Sequence, residues 1–333
     1  MKVLVVGGAG YIGSVTVEHL LAKGHDVTIF DNLSRGHIES IPKEAKLIRG
    51  DIGSESDLDS AFASARPDAV MHFAALIQVG ESVEHPALYF QNNVVNGIKL
   101  LDSMLRNSVR NFVFSSTAAV YGEPPTSPID EDFPLVPTSP YGDSKLAFEK
   151  ILKWYAGAYD MRYTSLRYFN ASGATAERGE DHHPESHLIP IILQVARGLR
   201  KEATIYGDDY PTPDGTCIRD YIHVSDLADA HAMAMEHMVA TKKSGVYNLG
   251  SEQGFSVKEV IETVRRVTGH PIPVSVGPRR PGDPAVLVAS SKRIQKEIGW
   301  KPTRTDLATI VGDAWKWHQK HPNGYKLEAA PHV

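Results

Sequence analysis

A single cysteine, Cys217, stands among 333 residues, so no internal disulfide can form and a reducing compartment is expected. Long apolar runs are missing as well: none approaches the roughly 20 residues that a bilayer-spanning helix needs. The opening run Lys2-Val3-Leu4-Val5-Val6 is too short for a signal-peptide core and leads straight into a glycine loop. Charge of one sign is also scarce. Lys and Arg number 35 against 40 Asp and Glu, a formal net charge of −5, with a pI near 6.3. That balance offers nothing to attract nucleic acid or an anionic membrane, so neither is expected as a partner, and a cytoplasmic setting is. Internal repeats, low-complexity tracts and flexible linkers are absent. What remains is a chain with 42% apolar residues, long enough to bury a full core in one large domain or two closely packed ones.

The first half alternates short β-branched runs with amphipathic stretches. Residues 3–6, 27–30, 47–49, 69–73, 112–115 and 164–167 read as buried parallel strands. Stretches 12–22, 55–64, 86–106 and 140–159 read as the helices between them. This pattern predicts an α/β fold, a Rossmann-type doubly wound parallel sheet with right-handed crossovers. After about Asn170 the pattern loosens, with glycine, proline and polar residues rising through 172–187 and 207–216. The expected division is a dinucleotide-binding domain over 1–170 and a smaller α/β substrate-binding region over 171–333, interleaved in space with the first. A pocket commonly forms where two such units meet.

Gly7, Gly10 and Gly13 follow the first strand and open the first helix, with Tyr11 and Ile12 between the last two. The first glycine permits the tight turn, the second the approach of backbone to a pyrophosphate, and the third close packing of helix on strand. The same glycines also serve a ligand-free strand–helix turn. The next strand decides between these readings, because it ends at Asp31, 18 residues beyond Gly13. A carboxylate there binds both adenosine ribose hydroxyls and repels a 2′-phosphate, favouring NAD over NADP. Arg35 lies close enough to temper that preference. Asp51-Ile52 follows the third strand, where Asp51 is either a turn residue or a contact at the adenine edge. Phe73-Ala74-Ala75 closes the fourth strand with small residues that let backbone pass near the cofactor.

Ser139-Pro140 has the form of a helix start, with Ser as N-cap and Pro at the first helical position. Tyr141 and Lys145 then fall at i and i+4 on one helical face. Such a pair is either a packed tyrosine beside a solvated lysine or a catalytic base with its activator. A free phenol titrates near 10, and a nearby ammonium together with a positive nicotinamide would favour phenolate. Thr117, just past the strand at 112–115, can offer a hydroxyl to the same substrate oxygen. The glycine loop upstream and Ser115-Ser116-Thr117 at a strand's carboxyl end favour the catalytic reading.

These residues resemble the extended short-chain dehydrogenase/reductase family, and within it the UDP-sugar 4-epimerases. The resemblance runs nearly the whole length: Gly7–Gly13, Asp31-Asn32-Leu33, His72–Ala75, Gly80-Glu81-Ser82, Ser116–Gly122, Ser139–Gly142, Arg167-Tyr168-Phe169-Asn170, Arg219–Val224 and Arg279–Asp283. The early motifs are superfamily-wide and the later ones more specific. The resemblance implies a tightly held, recycled NAD and interconversion of UDP-glucose and UDP-galactose through a 4-keto sugar. Tyr141 would take the C4 hydroxyl proton. Cofactor contacts are implied for Asn32, Leu33, Ser34, Arg35, Gly36, Asn92, Ser115, Tyr168 and Phe169. Substrate contacts are implied for Asn170, His187-Leu188 and Thr204-Ile205-Tyr206, with Arg219 and Arg280 on the diphosphate and Asp283 on the uridine ribose. No metal is expected. A homodimer is implied, built from the helices near 90–106 and 140–159.

Three positions depart from the family pattern. Ile77 replaces a lysine that some members place beside the cofactor phosphates. His187 stands where an asparagine is frequent. Leu287 falls at the position thought to gate bulk at the sugar C2, intermediate between a restricting tyrosine and a permissive small residue. N-acetylated UDP-sugars, UDP-glucuronate and UDP-pentoses therefore stay open as substrates. Dehydration at C5 and C6 calls for an Asp-Glu pair where this chain has Ala118-Ala119. A non-catalytic NAD-sensing regulator would lack Tyr141 or Lys145, and both are present.

Overall fold

The computed structural model describes residues 1–280 and 282–325; Pro281 and the end of the expected second region lie outside them. Among the described residues thirteen strands run in chain order: β1 Lys2–Val6, β2 Asp26–Asp31, β3 Lys46–Arg49, β4 Ala69–His72, β5 Asn111–Thr117, β6 Arg162–Tyr168, β7 Asn170–Ser172, β8 Ala203–Tyr206, β9 Ile218–His223, β10 Gly245–Leu249, β11 Gly254–Ser256, β12 Val274–Gly277 and β13 Val286–Leu287. The α-helices are α1 Tyr11–Ala22, α2 Glu55–Ala65, α3 Val79–Glu84, α4 Pro86–Phe90, α5 Asn96–Arg106, α6 Pro140–Tyr159, α7 Leu188–Ala196, α8 Val224–Thr241, α9 Val257–Thr268, α10 Lys292–Glu297 and α11 Leu307–Lys320.

Seven strands form one parallel sheet in the order β10-β6-β5-β4-β1-β2-β3. The runs read from the sequence form six of them, and in all but the half-exposed edge strand β3 the middle of the strand is buried on both faces. On β1, Val3 and Val5 pack with Val17 and Leu20 of α1 and Leu227 and Met235 of α8. Leu4 and Val6 face the other way, toward Leu58 and Phe62 of α2, Leu100 of α5 and Phe148 of α6. Side chains alternate with period two, so a strand covered on both faces shows no polar alternation.

The seventh strand comes from the second half of the chain. Gly245–Leu249 pairs with β6, and α8 packs against α1. The layer begun in the first 170 residues is thus completed by later ones. Strand order reverses at β1, with β2 on one side and β4 on the other, which opens a crevice at their carboxyl ends. A second cluster, built from α7, β8, α9 and α11, carries the substrate-side segments.

One expected element is interrupted. The stretch 86–106 is not one helix: α4 and α5 flank a π-helical turn at Gln91–Val95. The wider turn aims Asn93 inward. Its amide oxygen accepts the Leu76 N–H at 2.9 Å, and its nitrogen donates to the Leu76 carbonyl at 3.0 Å and to Ser144 Oγ at 3.1 Å. The loop after β4 is thereby tied to α6. A helix-period pattern does not distinguish a π turn from an α turn, and such turns gather at functional sites. Among the described residues, no helix is long and apolar enough to cross a membrane.

Candidate active site

The site is a crevice at the carboxyl ends of β1, β4 and β5. Gly7 adopts φ +81°, a left-handed conformation open to glycine, and an added Cβ there would meet the Ala74 nitrogen at 2.4 Å. A Cβ on Gly13 would meet the Gly7 carbonyl oxygen at 2.2 Å. Gly10 is the N-cap of α1, with no side-chain cap and no acidic residue in the first turn. The amides of Tyr11, Ile12 and Gly13 therefore open that helix without an anionic neighbour, and the positive end of its dipole is left for a phosphate. Tyr11 is buried and donates its hydroxyl to the Gly173 carbonyl at 2.6 Å, fastening α1 to the segment after β7.

Asp31 ends β2 and is buried. One carboxylate oxygen accepts the Ala9 N–H at 2.9 Å and the other the Leu33 N–H at 2.8 Å. The turn is thereby set, and each oxygen keeps a lone pair for a ribose hydroxyl. Leu33 takes φ +60°, and the Ser34 N–H bonds Asn32 Oδ1 at 2.9 Å. Gly36 sits against Ala9, which a Cβ would meet at 2.8 Å. Asn32 Nδ2 donates to Asp51 Oδ2 at 2.7 Å, and the Gly53 N–H donates to Asp51 Oδ1 at 2.7 Å. Asp51 is thus a turn residue in contact with the ribose loop, beside buried Ile52. Arg35 is turned away toward Glu81, 3.5 Å distant, and toward the His183 carbonyl. A 2′-phosphate would find that arginine already engaged. Phe73, Ala74 and Ala75 are half-buried, and Phe73 packs on His231 with ring centroids 4.8 Å apart. These features fit NAD: a glycine cradle too tight for a side chain at Gly7 or Gly13, an uncapped helix start and a buried carboxylate with lone pairs left for hydroxyl groups.

The catalytic candidates converge from β5, α6 and β6. Ser139 caps α6 by accepting the Gly142 N–H at 3.2 Å, with Pro140 at the first position, so Tyr141 and Lys145 occupy the first turns of α6. Burial raises the Tyr141 phenol above its ordinary value, and a hydrogen bond with Thr117 draws it back. Lys145 is buried; burial pushes its ammonium down to about 7 against the pull of the Glu149 carboxylate. Its Nζ donates to the Ser115 carbonyl at 2.8 Å and lies 4.9 Å from the centre of the Phe114 ring. Ser115 Oγ hydrogen-bonds the Tyr168 hydroxyl. The sequence expectation had Lys145 beside Tyr141 as its activator. Here Thr117 is the neighbour that lowers the Tyr141 phenol, and Lys145 is anchored on β5.

Glu149, one turn beyond Lys145, escaped the sequence reading. It is buried with Arg167, whose Nε donates to Oε1 at 3.0 Å and Nη2 to Oε2 at 2.6 Å. Ser116 Oγ adds a bond to Oε1 at 2.5 Å, and Arg167 Nη1 donates to the Tyr121 hydroxyl at 2.9 Å. Tyr121 in turn donates to Asn248 on β10 at 2.7 Å. A bidentate buried pair of this kind locks α6 against β5 and β6. On a helix, Glu149 reads as one more solvated acid; only the fold places Arg167 opposite it.

The substrate-side candidates are more dispersed. Asn92 lies on the π turn, half-buried, and donates to Asn93 at 2.9 Å. Asn170 on β7 donates to the Asp220 carbonyl at 2.9 Å. His187 is the N-cap of α7, ahead of Leu188, and its ring lies against Glu180. Thr204, Ile205 and Tyr206 lie on β8. The Arg280 guanidinium sits over the Tyr206 ring, 4.0 Å from its centre. Arg219 on β9 is ion-paired with Asp283, so two groups expected on different parts of the nucleotide meet each other. Leu287 on β13 is in register with Arg219 and, like Phe169, packs against the cluster that holds Ala118 and Tyr121. His223 caps α8 by accepting the Ser225 N–H at 3.1 Å, a structural role. Ile77 is 37% exposed in the loop after β4.

Residues 3–250 match the NAD dependent epimerase/dehydratase family. The chain is 54% identical over 330 residues to a UDP-glucose 4-epimerase of Halalkalibacterium halodurans, covering 98% of each. A crystal structure of a UDP-glucose 4-epimerase superposes with a TM-score of 0.96 at 50% identity, over 98% of this chain and 99% of that one. The Bifidobacterium longum UDP-glucose 4-epimerase in complex with NAD+ and UDP superposes with a TM-score of 0.91 at 41% identity, over 97% and 100%.

Proposed function

The chain belongs to the NAD dependent epimerase/dehydratase family, and we propose on that footing that it inverts C4 of UDP-glucose and UDP-galactose with bound NAD. The observation that carries this reading is the meeting of Tyr141, Thr117 and the Lys145–Ser115 anchor at the end of β5, beside a glycine cradle fitted to a dinucleotide. NAD, when bound, supplies the hydride acceptor and donor. Tyr141 holds and returns the proton of the C4 oxygen, and Thr117 bonds to the same phenol. Burial keeps that phenol protonated until a positive charge enters the site, so base strength is coupled to an occupied cofactor cleft. The Lys145 ammonium adds a second positive charge that fades as pH rises through about 7. Arg219, Arg280 and Asp283 are the residues available to hold a nucleoside diphosphate. Anchoring by the nucleotide leaves the sugar free to present either face.

Purified protein incubated with UDP-galactose, without added NAD, should form UDP-glucose to a fixed ratio reached from either sugar, followed by NMR. No conversion even with NAD supplied overturns the reading and moves the substrate to a UDP-uronate, UDP-pentose or N-acetylated sugar.

A homodimer accompanies this reading. Trp154 on α6 is 78% exposed, and Tyr159, Leu88 and Val95 add apolar surface from α6, α4 and the π turn. Trp154→Glu should halve the mass measured by light scattering; an unchanged mass places the interface elsewhere. A cytoplasmic setting accords with the single buried thiol, Cys217.

A further inference from the structure

Between β7 and α7 the chain gathers Glu180, His182, Glu185 and His187, whose donor atoms all lie within 4.8 Å of one another. Glu180 Oε1 is 2.6 Å from His187 Nδ1 and 3.1 Å from His182 Nδ1, and Glu185 Oε1 is 3.3 Å from His187 Nδ1. Both carboxylates are buried, with side chains 5% and 3% exposed. Two buried negative charges require about two positive ones nearby. Two imidazolium rings could supply them, but the rings stand only 5.5 Å apart and repel when both are charged. Neither Nδ1 makes a well-formed hydrogen bond with the carboxylates, despite these short separations. Nitrogen and oxygen lone pairs that converge without a donor pointing at an acceptor are the arrangement a cation needs. Ligand atoms around tetrahedral zinc, at bonds of about 2.05 Å, stand about 3.3 Å from each other. The observed separations, from 2.6 Å to the 4.0 Å between His182 Nδ1 and Glu185 Oε2, bracket that value. Glu185 Oε1 is held in place by the N–H groups of Ser186 and His187, at 2.7 and 2.8 Å, the kind of outer support that orients a metal ligand.

We propose that Glu180, His182, Glu185 and His187 form a site for one divalent transition metal of the zinc type. This departs from the sequence expectation of no metal. The site's place in the fold gives it a structural role. Its segment lies on the cofactor loops: the His182 ring meets Tyr11 edge-on at 6.4 Å, Arg35 donates to the His183 carbonyl and Gln78 to the Pro184 carbonyl. His187 then starts α7. One ion ties both ends of the 180–187 segment together, bracing the join between the glycine-loop helix and the substrate side.

Full-length protein stripped with EDTA would be titrated with ZnCl2 against a chromogenic chelator, with bound metal counted by mass spectrometry after gel filtration. One tight equivalent is expected, with a thermal midpoint that rises on adding zinc. Glu180→Gln and, separately, His182→Gln should each weaken that equivalent at least tenfold and remove the rise in midpoint. Circular dichroism of both variants without metal checks that they fold; His182→Gln, at a side chain more exposed than that of Glu180, keeps the test open if Glu180→Gln does not. Absence of a stoichiometric ion in the wild type, or equal binding by wild type and His182→Gln, overturns the proposal and leaves an ion-paired cluster only.

Discussion

An added Cβ at Gly7 would meet a backbone nitrogen at 2.4 Å, whereas the Arg280 guanidinium, in the substrate-side region, rests on a half-open tyrosine ring with solvent around it. The two regions are made of different material. On the cofactor side the contacts are backbone against backbone, set by Gly7, Gly13, Gly36 and the Asp31 turn, and supported by a sheet buried on both faces. On the substrate side they are side chain against side chain: Arg219 with Asp283, Arg280 with Tyr206, His187 with Glu180. Backbone contacts tolerate little displacement, while an exposed pair such as Arg280 with Tyr206 rearranges at low cost. A permanent cofactor needs the first kind of surface and a turning sugar the second.

The seam between them is Tyr141, and its loss is expected to have the largest effect. Tyr141→Phe should lower turnover by about 10²–10⁴-fold while NAD remains bound, since only the proton carrier is removed. Activity assays alongside the absorbance of retained cofactor check this, and near-normal turnover would remove Tyr141 from its role. Gly7→Ala attacks the cofactor side alone. The combination of positive φ and a 2.4 Å clash should cost about 3 kcal/mol of stability and release NAD. Thermal melting and cofactor content after gel filtration report it, and a variant that keeps both would mean the cradle is softer than its geometry.

Acid should also weigh more heavily on the cofactor side, which holds two strongly shifted buried rings against His318 on the other. Burial drives His72 down to about 3, with Lys145 adding to the effect, and drives His231 to about 4. The unfolded chain takes up protons on these rings near 6.5 while the folded chain does not. The share of stability carried by these rings is therefore full above about pH 6.5 and declines as pH falls toward those lower values. His72→Leu should remove one proton's share of that slope, about 3 kcal/mol between pH 6.5 and 4. Denaturant titrations at a series of pH values test this, and an unchanged slope would assign the acid sensitivity elsewhere. The smallest effect is expected from Arg280→Ala. It should raise KM for the UDP-sugar about tenfold, the share of one charge-assisted contact, and leave NAD retention and stability alone. A loss of NAD in that variant would dissolve the distinction between the two regions.

Local signals carried the first half well. β-branched runs, glycine spacing and the Ser139-Pro140 start each express a constraint that acts within a few residues, and the strands, the glycine turn and α6 appear where those signals lie. The interruption at Gln91–Val95 did not show, since Asn93 is one polar residue in a helical pattern until Leu76 and Ser144 approach it. Nor did β10, whose pairing partner lies about 80 residues away in the chain.

The sequence by itself determined six strands of the sheet, the cofactor turn and the position of Tyr141 on its helix, because these follow from backbone conformation and short-range periodicity. Only the tertiary structure decided what surrounds the chemistry: Glu149 opposite Arg167, Lys145 anchored on Ser115 rather than on Tyr141, and the four donors at 180–187 drawn to one point. The charge, proton affinity and partner of a buried group depend on side chains brought together from distant parts of the chain, and that meeting exists only once the core has closed.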